Sequence, residues 1–485
     1  MPDYQPTIGL EIHAELKTKS KMFCACPNGQ GQEKEPNLNI CPVCTGQPGA
    51  LPVINQEAVK MVLLVGRALN CQINENTKFD RKNYFYPDLP KGYQISQYDQ
   101  PLTQNGYLAI GGKKIGITRV HLEEDTGKSI HSAGADQSLV DLNRSGVPLL
   151  ELVSEPDITS GQQAKDFCQE LQRILRYLGV SDADMEKGQM RCEVNISISK
   201  DKTRGTKVEI KNLNSFRTVQ KAIDFEIARQ QEALEFGEKI IQETRGWNEA
   251  KQMTVPQRAK EQAHDYRYFP EPDLPPMRIT TDKFSLAGNT VELPQSKKER
   301  FEKEYKLTSQ QAQTLVNNKA LADFFEAIIS EAQSWAGDKY QAKDGQKLIW
   351  LAANYLLVEL PKILRQRQET LAQIRFSAED FAELMCLINS DDISSSAAQT
   401  VLAQMQAGGG DPSQIIAEKK LSQIGDRQKL AVLIAKIISA NPKAVADYKR
   451  GQGNAVQFLL GQIMKETKGA ADPLKALAII KEQLN

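Results

Sequence analysis

Four cysteines lie close together near the start of the chain, at Cys24, Cys26, Cys41 and Cys44. Four thiolates can enclose a zinc ion in a tetrahedron while the residues between the two pairs form a loop. Such a site leaves no coordination position open, so the metal would stabilise the fold and take no part in catalysis. The spacing therefore predicts a structural zinc site. The alternative is four reduced cysteines that hold no metal.

Glutamate and histidine, which also bind metals, stand together in an alternating stretch near the amino terminus. Glu11 and His13 are two residues apart there, so their side chains lie on the same face of the predicted strand. Together they could hold one hard cation or a phosphate-bound metal. The alternative is the ordinary solvated face of a strand.

Further carboxylates follow, one of them at a position where burial of its charge is unfavourable. Glu151 interrupts the apolar run 148–153, where a lone buried carboxylate is unfavourable unless a metal, a cation or a donor meets it. Adjacent acids also follow His121, and a strand can direct Glu123 or Glu124 into one site, but not both. Clustered acids of this kind suit Mg²⁺ that holds nucleotide phosphates.

Cations and aromatic residues alternate in two stretches, 81–96 and 265–273. This composition is used to clamp phosphates and to stack nucleotide bases, although it also occurs for structural reasons alone. The sequence has neither a Gly-x-Ser-x-Gly motif nor a credible Cys–His nucleophile pair, which argues against covalent hydrolytic catalysis. The chemistry therefore points to phosphates.

Hydrophobic periodicity predicts the elements that must position these residues. Strict alternation predicts strands over 7–16 and 191–198, and helical spacing over 160–179 predicts an amphipathic helix. The Asn-Gly pair at 105–106 and the Gly-Gly pair at 111–112 predict two tight hairpin turns in an antiparallel meander. Strands interspersed with single helices indicate an α+β fold.

Length and composition limit the class of protein. A chain of 485 residues suggests two or three domains, and 40% apolar with 25% charged residues is typical of soluble globular proteins. No apolar run is long enough to span a bilayer. The amino-terminal residues lack the pattern of a secretory or transit peptide, so we expect a cytoplasmic location.

Shifts in composition predict three parts. A part rich in strands is expected over 1–293, with the cysteine cluster at 24–44, followed by an all-helical part over 294–410 and a small tail over 411–485. Lys and Arg balance Asp and Glu at 61 each, but the chain from Ile415 onward carries 12 basic and 6 acidic residues. The tail therefore offers the positive charge that nucleic acid attracts.

Six motifs together resemble the B subunits of the bacterial-type aspartyl/glutamyl-tRNA amidotransferases, the GatB family. They are Ile8–His13, Phe79–Asp88, Glu123–Lys128, Leu142–Gly146, Ser154–Asp157 and Asp265–Asp273. The resemblance runs the full chain. It implies a β-rich antiparallel cradle domain that carries the catalysis, a helical linker domain and a small helical tail related to YqeY proteins.

The resemblance implies an activity, cofactors and partners. The activity is ATP- and Mg²⁺-dependent phosphorylation of the side-chain carboxylate of Glu-tRNA(Gln) or Asp-tRNA(Asn), followed by amidation with ammonia. The ammonia would come from an amidase-family glutaminase, the A subunit, and a small C subunit would join the two. Zn²⁺ would be structural. The sequence itself carries no Ser-Ser-Lys amidase signature, in agreement with a separate glutaminase.

The resemblance also implies roles for individual residues. It implies a catalytic Mg²⁺ site of Glu11, His13, Glu124 and Glu151, and the spacing leaves open whether Glu123 replaces its neighbour. For the pocket that holds nucleotide and substrate, the motifs suggest Arg81, Tyr84, Lys91 and Ser96. For tRNA binding by the tail, they suggest Lys449 and Arg450. The four cysteines match relatives that bind zinc.

Two other functions are compatible with parts of the sequence. A non-catalytic, zinc-stabilised adaptor that binds tRNA would need the cysteines and the basic tail, but it gives no reason for Glu151 inside an apolar run. A stand-alone nucleotide-dependent ligase would use free ammonia and need no partner.

Overall fold

The structure is a computed structural model. It describes all residues except 1–3, 30–32, 34, 132–136, 202, 260–265, 281–283, 285–290, 339–344, 422–426, 451, 453, 468–470, 472 and 485. Asp265, the first residue of one predicted motif, therefore lies outside the described residues. The chain divides into two compact units, Met1–Leu293 and Pro294–Asn485.

The first unit contains sixteen described strands. In chain order they are β1 (Gln5–Glu15), β2 (Gln72–Ile73), β3 (Asn76–Thr77), β4 (Asp80–Asn83), β5 (Tyr93–Ser96), β6 (Thr103–Ile110), β7 (Lys113–Glu124), β8 (Lys128–His131), β9 (Ser138–Asp141), β10 (Pro148–Ser154), β11 (Met190–Ser199), β12 (Val208–Leu213), β13 (Glu243–Asn248), β14 (Met253–Ala259), β15 (Phe269–Pro270) and β16 (Met277–Arg278).

Nine of these strands form one large sheet in the order β14-β13-β12-β11-β1-β10-β7-β6-β2. Neighbouring strands are antiparallel except β12 and β13, which are parallel. β15, β4 and β5 make a separate three-stranded sheet, while β16 pairs with β3 and β8 with β9. The predicted strands at 7–16 and 191–198 correspond to β1 and β11, which pair along nearly their whole length.

Three helices cover the apolar face of the large sheet: α1 (Gln56–Ala68), α2 (Gly161–Tyr177) and α3 (Phe216–Glu235). Each starts at a side-chain cap, from Asn55, Ser160 and Ser215 respectively, because these oxygens accept the free N–H groups of the first turn. Ile12 of β1 shares one buried core with residues of all three helices. The polar side chains of the same strands are therefore left on the other face.

The second unit is helical. Its helices are α4 (Pro294–Glu304), α5 (Ser309–Val316), α6 (Lys319–Asp338), α7 (Gly345–Asn354), α8 (Leu360–Arg367), α9 (Ala378–Asn389), α10 (Ser395–Gly408), α11 (Pro412–Lys419), α12 (Arg427–Ala440), α13 (Pro442–Lys449), α14 (Asn454–Glu466) and α15 (Pro473–Leu484), with a π-helical turn at Tyr355–Glu359 and a 3-10 turn at Leu371–Gln373. The last four helices share an apolar core that includes Ile434, Leu459 and Ile480.

The predicted α+β class, with a helical carboxyl-terminal region, is confirmed. The separate boundary near 410 stays a prediction. Within the described residues, no helix combines the length and the apolarity needed to cross a membrane.

One of the two predicted hairpin turns is wrong. Gly111 and Gly112, with φ of +57° and +82°, do form the turn between β6 and β7. Asn105 and Gly106 instead lie inside β6, and the pairing with β7 continues on both sides of them. A Cβ on Gly106 would lie 2.6 Å from the Leu69 carbonyl oxygen, so the glycine serves a close approach of two chain segments and not a turn.

Candidate active site

The polar face of the large sheet brings metal-binding side chains into rows across four strands. His13 on β1 lies opposite Glu151 on β10 and Arg191 on β11, and Glu151 in turn lies opposite His121 on β7. In the adjoining row, Glu11 lies opposite Glu193. Since side chains alternate between the faces of a strand, this register places the whole set on one side of the sheet.

His13 lies at the centre of the acids. Its Nε2 atom is 3.4 Å from Glu151 Oε2, 3.5 Å from Glu123 Oε1 and 3.9 Å from Glu11 Oε1. His121 Nε2 is 3.5 Å from the same Glu151 oxygen. Two sets of possible ligand atoms therefore share Glu151, one with Glu11 and His13 and the other with His121 and Glu123. Within each set, the atoms lie within 4.8 Å of one another.

The charged groups of this cluster shift one another's pKa. Burial alone would lower the pKa of His13, but hydrogen bonds to Glu123 and Glu151 outweigh it and raise that pKa well above its usual value. Burial opposes ionisation of Glu151, yet His121 and His13 lower its pKa to about 2. Burial, followed by the Glu151 charge, raises the pKa of Glu11. The site thus holds ionised carboxylates in a buried setting, which requires cations.

Cations of the chain face the same acids. A cavity of about 400 Å³ is lined by the cluster and also by Lys82, Arg119, Arg191 and Lys211. Arg119 Nη2 is 3.6 Å from Glu151 Oε1. Burial would lower the pKa of Lys82, but the nearby Glu123 and Glu151 carboxylates, together with Tyr268 and Tyr84, outweigh burial and raise it. The cavity therefore combines possible metal ligands with positive side chains, which suits a ligand that carries several negative charges.

The residues present fit a magnesium ion. Mg²⁺ prefers carboxylate oxygens and needs only one or two of them, at about 2.1 Å, beside water and phosphate. The Glu11, His13 and Glu151 atoms lie close enough together to approach one such ion. Arg119 Nε and His121 Nδ1, on two residues that line the cavity, are buried without a hydrogen-bond partner among the described residues. Buried donors of this kind are expected to be satisfied by a ligand or by water.

The structure brings together three of the four expected magnesium ligands. It brings together Glu11, His13 and Glu151, but Glu124 lies away from them: its Oε1 atom accepts hydrogen bonds from Lys91 Nζ and, at 2.9 Å, from the Ile95 backbone N–H. Glu123 takes the expected place beside His13. The reason is the alternation of β7, which turns adjacent side chains to opposite faces.

The four suggested pocket residues occupy different positions. Tyr84 lines the cavity. Ser96 is buried beneath the acids and donates to Glu123 Oε2 at 3.0 Å. Arg81 forms a two-point ion pair with the buried Glu271, at 2.8 Å for both contacts. Lys91 is bound to Glu124. Arg81 and Lys91 therefore brace neighbouring segments, and the cations that face the cavity are others.

Sequence reasoning missed several residues of the cavity. Lys82 stands within the stretch 81–96, where cations and aromatic residues alternate, so its type and neighbours could have suggested it. Arg119 and His121 share an alternating face with Glu123, which a strand assignment over β7 could have revealed. Nothing in the local sequence around Arg191 points to this site, since only the pairing of β11 with β1 brings it there.

The four cysteines form a second cluster. The Sγ atom of Cys44 is 3.6 Å from that of Cys24, 3.7 Å from that of Cys41 and 3.8 Å from that of Cys26. A tetrahedron with Zn–S bonds of about 2.3 Å has edges of about 3.8 Å. The four sulfurs therefore fit a zinc ion.

A buried lysine accompanies the cysteines. Lys21 is fully buried, and its Nζ lies 3.5 Å from Cys44 Sγ, 2.8 Å from the Asn39 carbonyl oxygen and 3.4 Å from that of Leu142. The hydrogen bond from Cys24 and then the Lys21 charge lower the pKa of Cys44 to about 4. The lysine thus offsets thiolate charge. It also joins residues 24–44, called here the cysteine loop, to the segment around Leu142.

The two suggested tRNA-binding residues lie in the second unit. Lys449 is the last residue of α13 and Arg450 follows it, and both side chains are exposed. Cations at a helix carboxyl terminus are favoured by the helix dipole, which is a structural reason for their presence. Their exposure leaves them able to meet phosphates as well.

Comparison with family models gives two matches. Residues 6–285 match a model described as the GatB/GatE catalytic domain, and residues 339–484 match one described as the GatB domain. The first match contains all residues of the cavity and all four cysteines, and the second contains Lys449 and Arg450.

Comparison with curated proteins gives relatives of the same length. The chain is 46% identical over 489 residues to the B subunit of the aspartyl/glutamyl-tRNA(Asn/Gln) amidotransferase of Caldanaerobacter subterraneus subsp. tengcongensis, covering 99% of each chain. It is 46% identical over 494 residues to the protein of that name from Carboxydothermus hydrogenoformans, covering 100% of this chain and 99% of the relative. The protein of that name from Caldicellulosiruptor saccharolyticus is 47% identical over 493 residues, with 99% of each chain covered.

Proposed function

The chain belongs to the family of aspartyl/glutamyl-tRNA amidotransferase B subunits, and from this premise we propose that it activates the side-chain carboxylate of a misacylated tRNA. The substrates are Glu-tRNA(Gln) or Asp-tRNA(Asn). The observation that carries the proposal is the cavity on the polar face of the sheet, where metal-binding acids and histidines face Lys82 and Arg119.

The reaction needs an activated carboxylate because ammonia does not displace an oxygen from a carboxylate ion. An oxygen of the side-chain carboxylate attacks the γ-phosphorus of ATP, and the bond to the bridging oxygen breaks to release ADP. Ammonia then attacks the carbonyl carbon of the acyl phosphate. Inorganic phosphate leaves, a proton is lost, and the amide of Gln-tRNA(Gln) or Asn-tRNA(Asn) remains.

The first step brings two anions together, so its barrier is electrostatic. Glu11, His13, Glu123 and Glu151 would hold Mg²⁺, which, when bound, neutralises charge on the phosphates. Lys82 and Arg119 approach from the side of the cavity and offset the negative charge of the carboxylate and the transferred phosphoryl group. Ser96 donates a hydrogen bond to Glu123 Oε2, and His121 Nε2 lies 3.8 Å from the same oxygen, so both help to position Glu123.

The proposal extends to the source of the ammonia, the cysteine cluster and the tail. Ammonia comes from an amidase-family glutaminase that assembles with this chain, and a small third protein joins the two. The four cysteines hold structural zinc, supported by their near-tetrahedral spacing. The tail from 411 onward holds the tRNA through Lys449, Arg450 and its other cations, supported by their exposure.

The test uses the chain copurified with its partner proteins, together with ATP, Mg²⁺, glutamine and each misacylated tRNA in turn. Glu151→Ala is expected to reduce ATP-dependent amide formation by at least about a hundredfold, because it removes the carboxylate shared by both ligand sets. Glutamine hydrolysis by the partner serves as the control for assembly.

Three results would contradict the proposal in whole or in part. Full amide formation by Glu151→Ala would remove the metal site from the mechanism. A wild-type complex that binds tRNA and hydrolyses glutamine, but neither consumes ATP nor forms amide, would identify the chain as a non-catalytic adaptor. Amide formation by the purified chain alone with ammonium salt would show that no partner is needed.

A further inference from the structure

Five tyrosines form a continuous aromatic chain at the cavity, called here the tyrosine rim: Tyr84, Tyr86, Tyr98, Tyr266 and Tyr268. The ring centroids of successive members are 6.0 Å apart from Tyr86 to Tyr84, 6.0 Å from Tyr84 to Tyr266, 6.1 Å from Tyr266 to Tyr268 and 4.3 Å from Tyr268 to Tyr98. Three of these contacts are edge-to-face and the last is stacked.

The rim runs from solvent into the cavity and out again. Its three inner members, Tyr84, Tyr266 and Tyr268, line the cavity. Its two ends are exposed, with 59% of Tyr86 and 57% of Tyr98 accessible to solvent. Large aromatic side chains stabilise a fold mainly when they are buried, so two exposed rings joined to a polar cavity indicate a binding surface.

A cation lies against the rim. Lys82 Nζ lies 5.1 Å from the centre of the Tyr266 ring, and Lys82 also lines the cavity. Aromatic rings interleaved with cations are the combination that binds single-stranded nucleic acid, since bases stack on rings while cations meet the phosphates between them.

We propose that the tyrosine rim binds the unpaired 3′-terminal bases of the aminoacyl-tRNA by stacking. The proposal rests on the proposed function and names a subsite for its substrate. The acceptor stem is a duplex and is too wide for a cavity of about 400 Å³, so only the single-stranded 3′ end can carry the amino acid to the acids inside. The base beside the ester then lies at the cavity mouth, where the exposed tyrosines are.

The two exposed ends favour the tRNA over the adenine of ATP as the occupant. ATP offers one base, whereas the 3′ end of tRNA offers several successive unpaired bases. Tyr86 and Tyr98 stand at opposite ends of the rim, separated by the three rings that line the cavity. Two separate exposed rings therefore suit a strand that passes over the mouth.

The test uses the assembled complex and a tRNA with 2-aminopurine at its 3′-terminal nucleotide, whose fluorescence falls when the base stacks. Wild type is expected to quench this fluorescence on binding. Tyr86→Ala and Tyr98→Ala are expected to lose quenching and to raise KM for aminoacyl-tRNA about fivefold to a hundredfold, with KM for ATP unchanged. Tyr86→Phe should retain both properties because the ring remains.

Phe236→Ala provides the matched control, since Phe236 is 78% exposed and stands at the end of α3, outside the rim. Glutamine hydrolysis by the partner reports whether each variant assembles. A rise in KM for ATP, with tRNA unaffected, would overturn the proposal in favour of adenine binding. Unchanged quenching and unchanged KM in both alanine variants would also overturn it. Quenching is measured without ATP and therefore does not depend on amide formation. It can thus show whether the base stacks on the rim even in a complex that forms no amide.

Discussion

Glu123 and Glu124 are adjacent in the chain, yet their carboxylates have different surroundings. Glu123 lies beside His13 and His121 on the cavity face, whereas Glu124 is bound by Lys91 and the Ile95 N–H. Both side chains are almost fully buried. The side of the strand on which a glutamate lies therefore decides whether its carboxylate faces the cavity or forms buried contacts that stabilise the fold.

Substitution of each glutamate separates the two roles. Glu123→Gln is expected to raise the Mg²⁺ concentration needed for half-maximal ATP-dependent amide formation about tenfold or more, because a ligand charge is lost beside His13. Glu124→Ala should leave the Mg²⁺ requirement near that of wild type but lower the free energy of unfolding by about 3 kcal/mol, since Lys91 loses its buried partner. Magnesium titrations and urea unfolding measure the two effects.

The opposite result would indicate that Glu124, and not Glu123, is a ligand of the metal. A Glu124 variant with an altered Mg²⁺ requirement, beside a Glu123 variant with a normal one, is incompatible with the side-chain positions described above. Ser96→Ala supplies an intermediate case, because it removes the hydrogen bonds of Ser96 to Glu123 and His121 and leaves the Glu123 carboxylate.

Among the elements, β6 shows how a local sequence signal can be overruled. Asn105-Gly106 has the composition of a hairpin turn, but the strand continues through it because the flanking residues pair with β7. The glycine is required by its neighbours: an added Cβ would lie 2.3 Å from Cys71 Sγ and 2.6 Å from the Leu69 oxygen. Local propensity therefore yields to packing against the segment after α1.

Gly106→Ala is expected to lower the free energy of unfolding by about 1–3 kcal/mol, because backbone and sulfur atoms must move to make room. Gly345→Ala is the matched control, since no atom of the described residues lies within 4 Å of an added Cβ at the start of α7. Chemical denaturation of both variants measures the difference. Equal stability of the two proteins would contradict the close approach at β6.

The cysteine loop is the second element whose role reaches beyond its own residues. Lys21 joins it to the Leu142 carbonyl, and Ser145 Oγ donates to the Cys44 carbonyl at 3.3 Å. Gly146 in turn donates to the Asp125 carbonyl, next to Glu124. The loop is thus connected by hydrogen bonds to the end of β7.

Loss of the metal should therefore loosen two segments. Cys41→Ser is expected to reduce bound zinc from one equivalent to well under one per chain, and to speed amide hydrogen exchange over 39–46 and 142–146. Cys71→Ser, which changes a cysteine outside the cluster, should keep both properties. Metal analysis and hydrogen-exchange mass spectrometry measure them. A wild-type protein without zinc would contradict the proposed metal.

At the scale of the whole molecule, the formal net charge of zero conceals an uneven distribution. The first unit collects buried acids around its cavity, while the residues from Ile415 onward are predominantly basic. Acidic and basic residues are thus concentrated in different parts of the chain. The net charge of the whole chain therefore does not indicate whether the protein binds nucleic acid.

A double substitution in the full chain tests the role of the tail. Lys449→Gln with Arg450→Gln is expected to weaken tRNA binding and to reduce the slope of log K against log salt by about 2, because two phosphate contacts are lost. Lys362→Gln with Arg365→Gln on α8 removes the same charge elsewhere in the second unit. Binding curves at several salt concentrations compare them, and identical slopes in both double variants would refute specific contacts at the end of α13.

The sequence by itself determined the alternation that defines the strands, the side chains that share a face of β1, and the four cysteines that can meet one metal. These features depend on spacing within a few residues, which local geometry translates directly into direction. It also identified the apolar run around Glu151 as a place where a carboxylate needs a partner.

Only the tertiary structure decided which distant residues meet. The register of β11, β1, β10 and β7 places Arg191, His13, Glu151 and His121 in one row. It also places Glu123, and not Glu124, on the side of the cavity. Arg81 and Lys91 instead form ion pairs with Glu271 and Glu124. The tyrosine rim likewise joins segments from two separate motifs. Strand pairing connects residues far apart in the chain, and no local spacing encodes that choice, because it depends on how the entire sheet buries its apolar face.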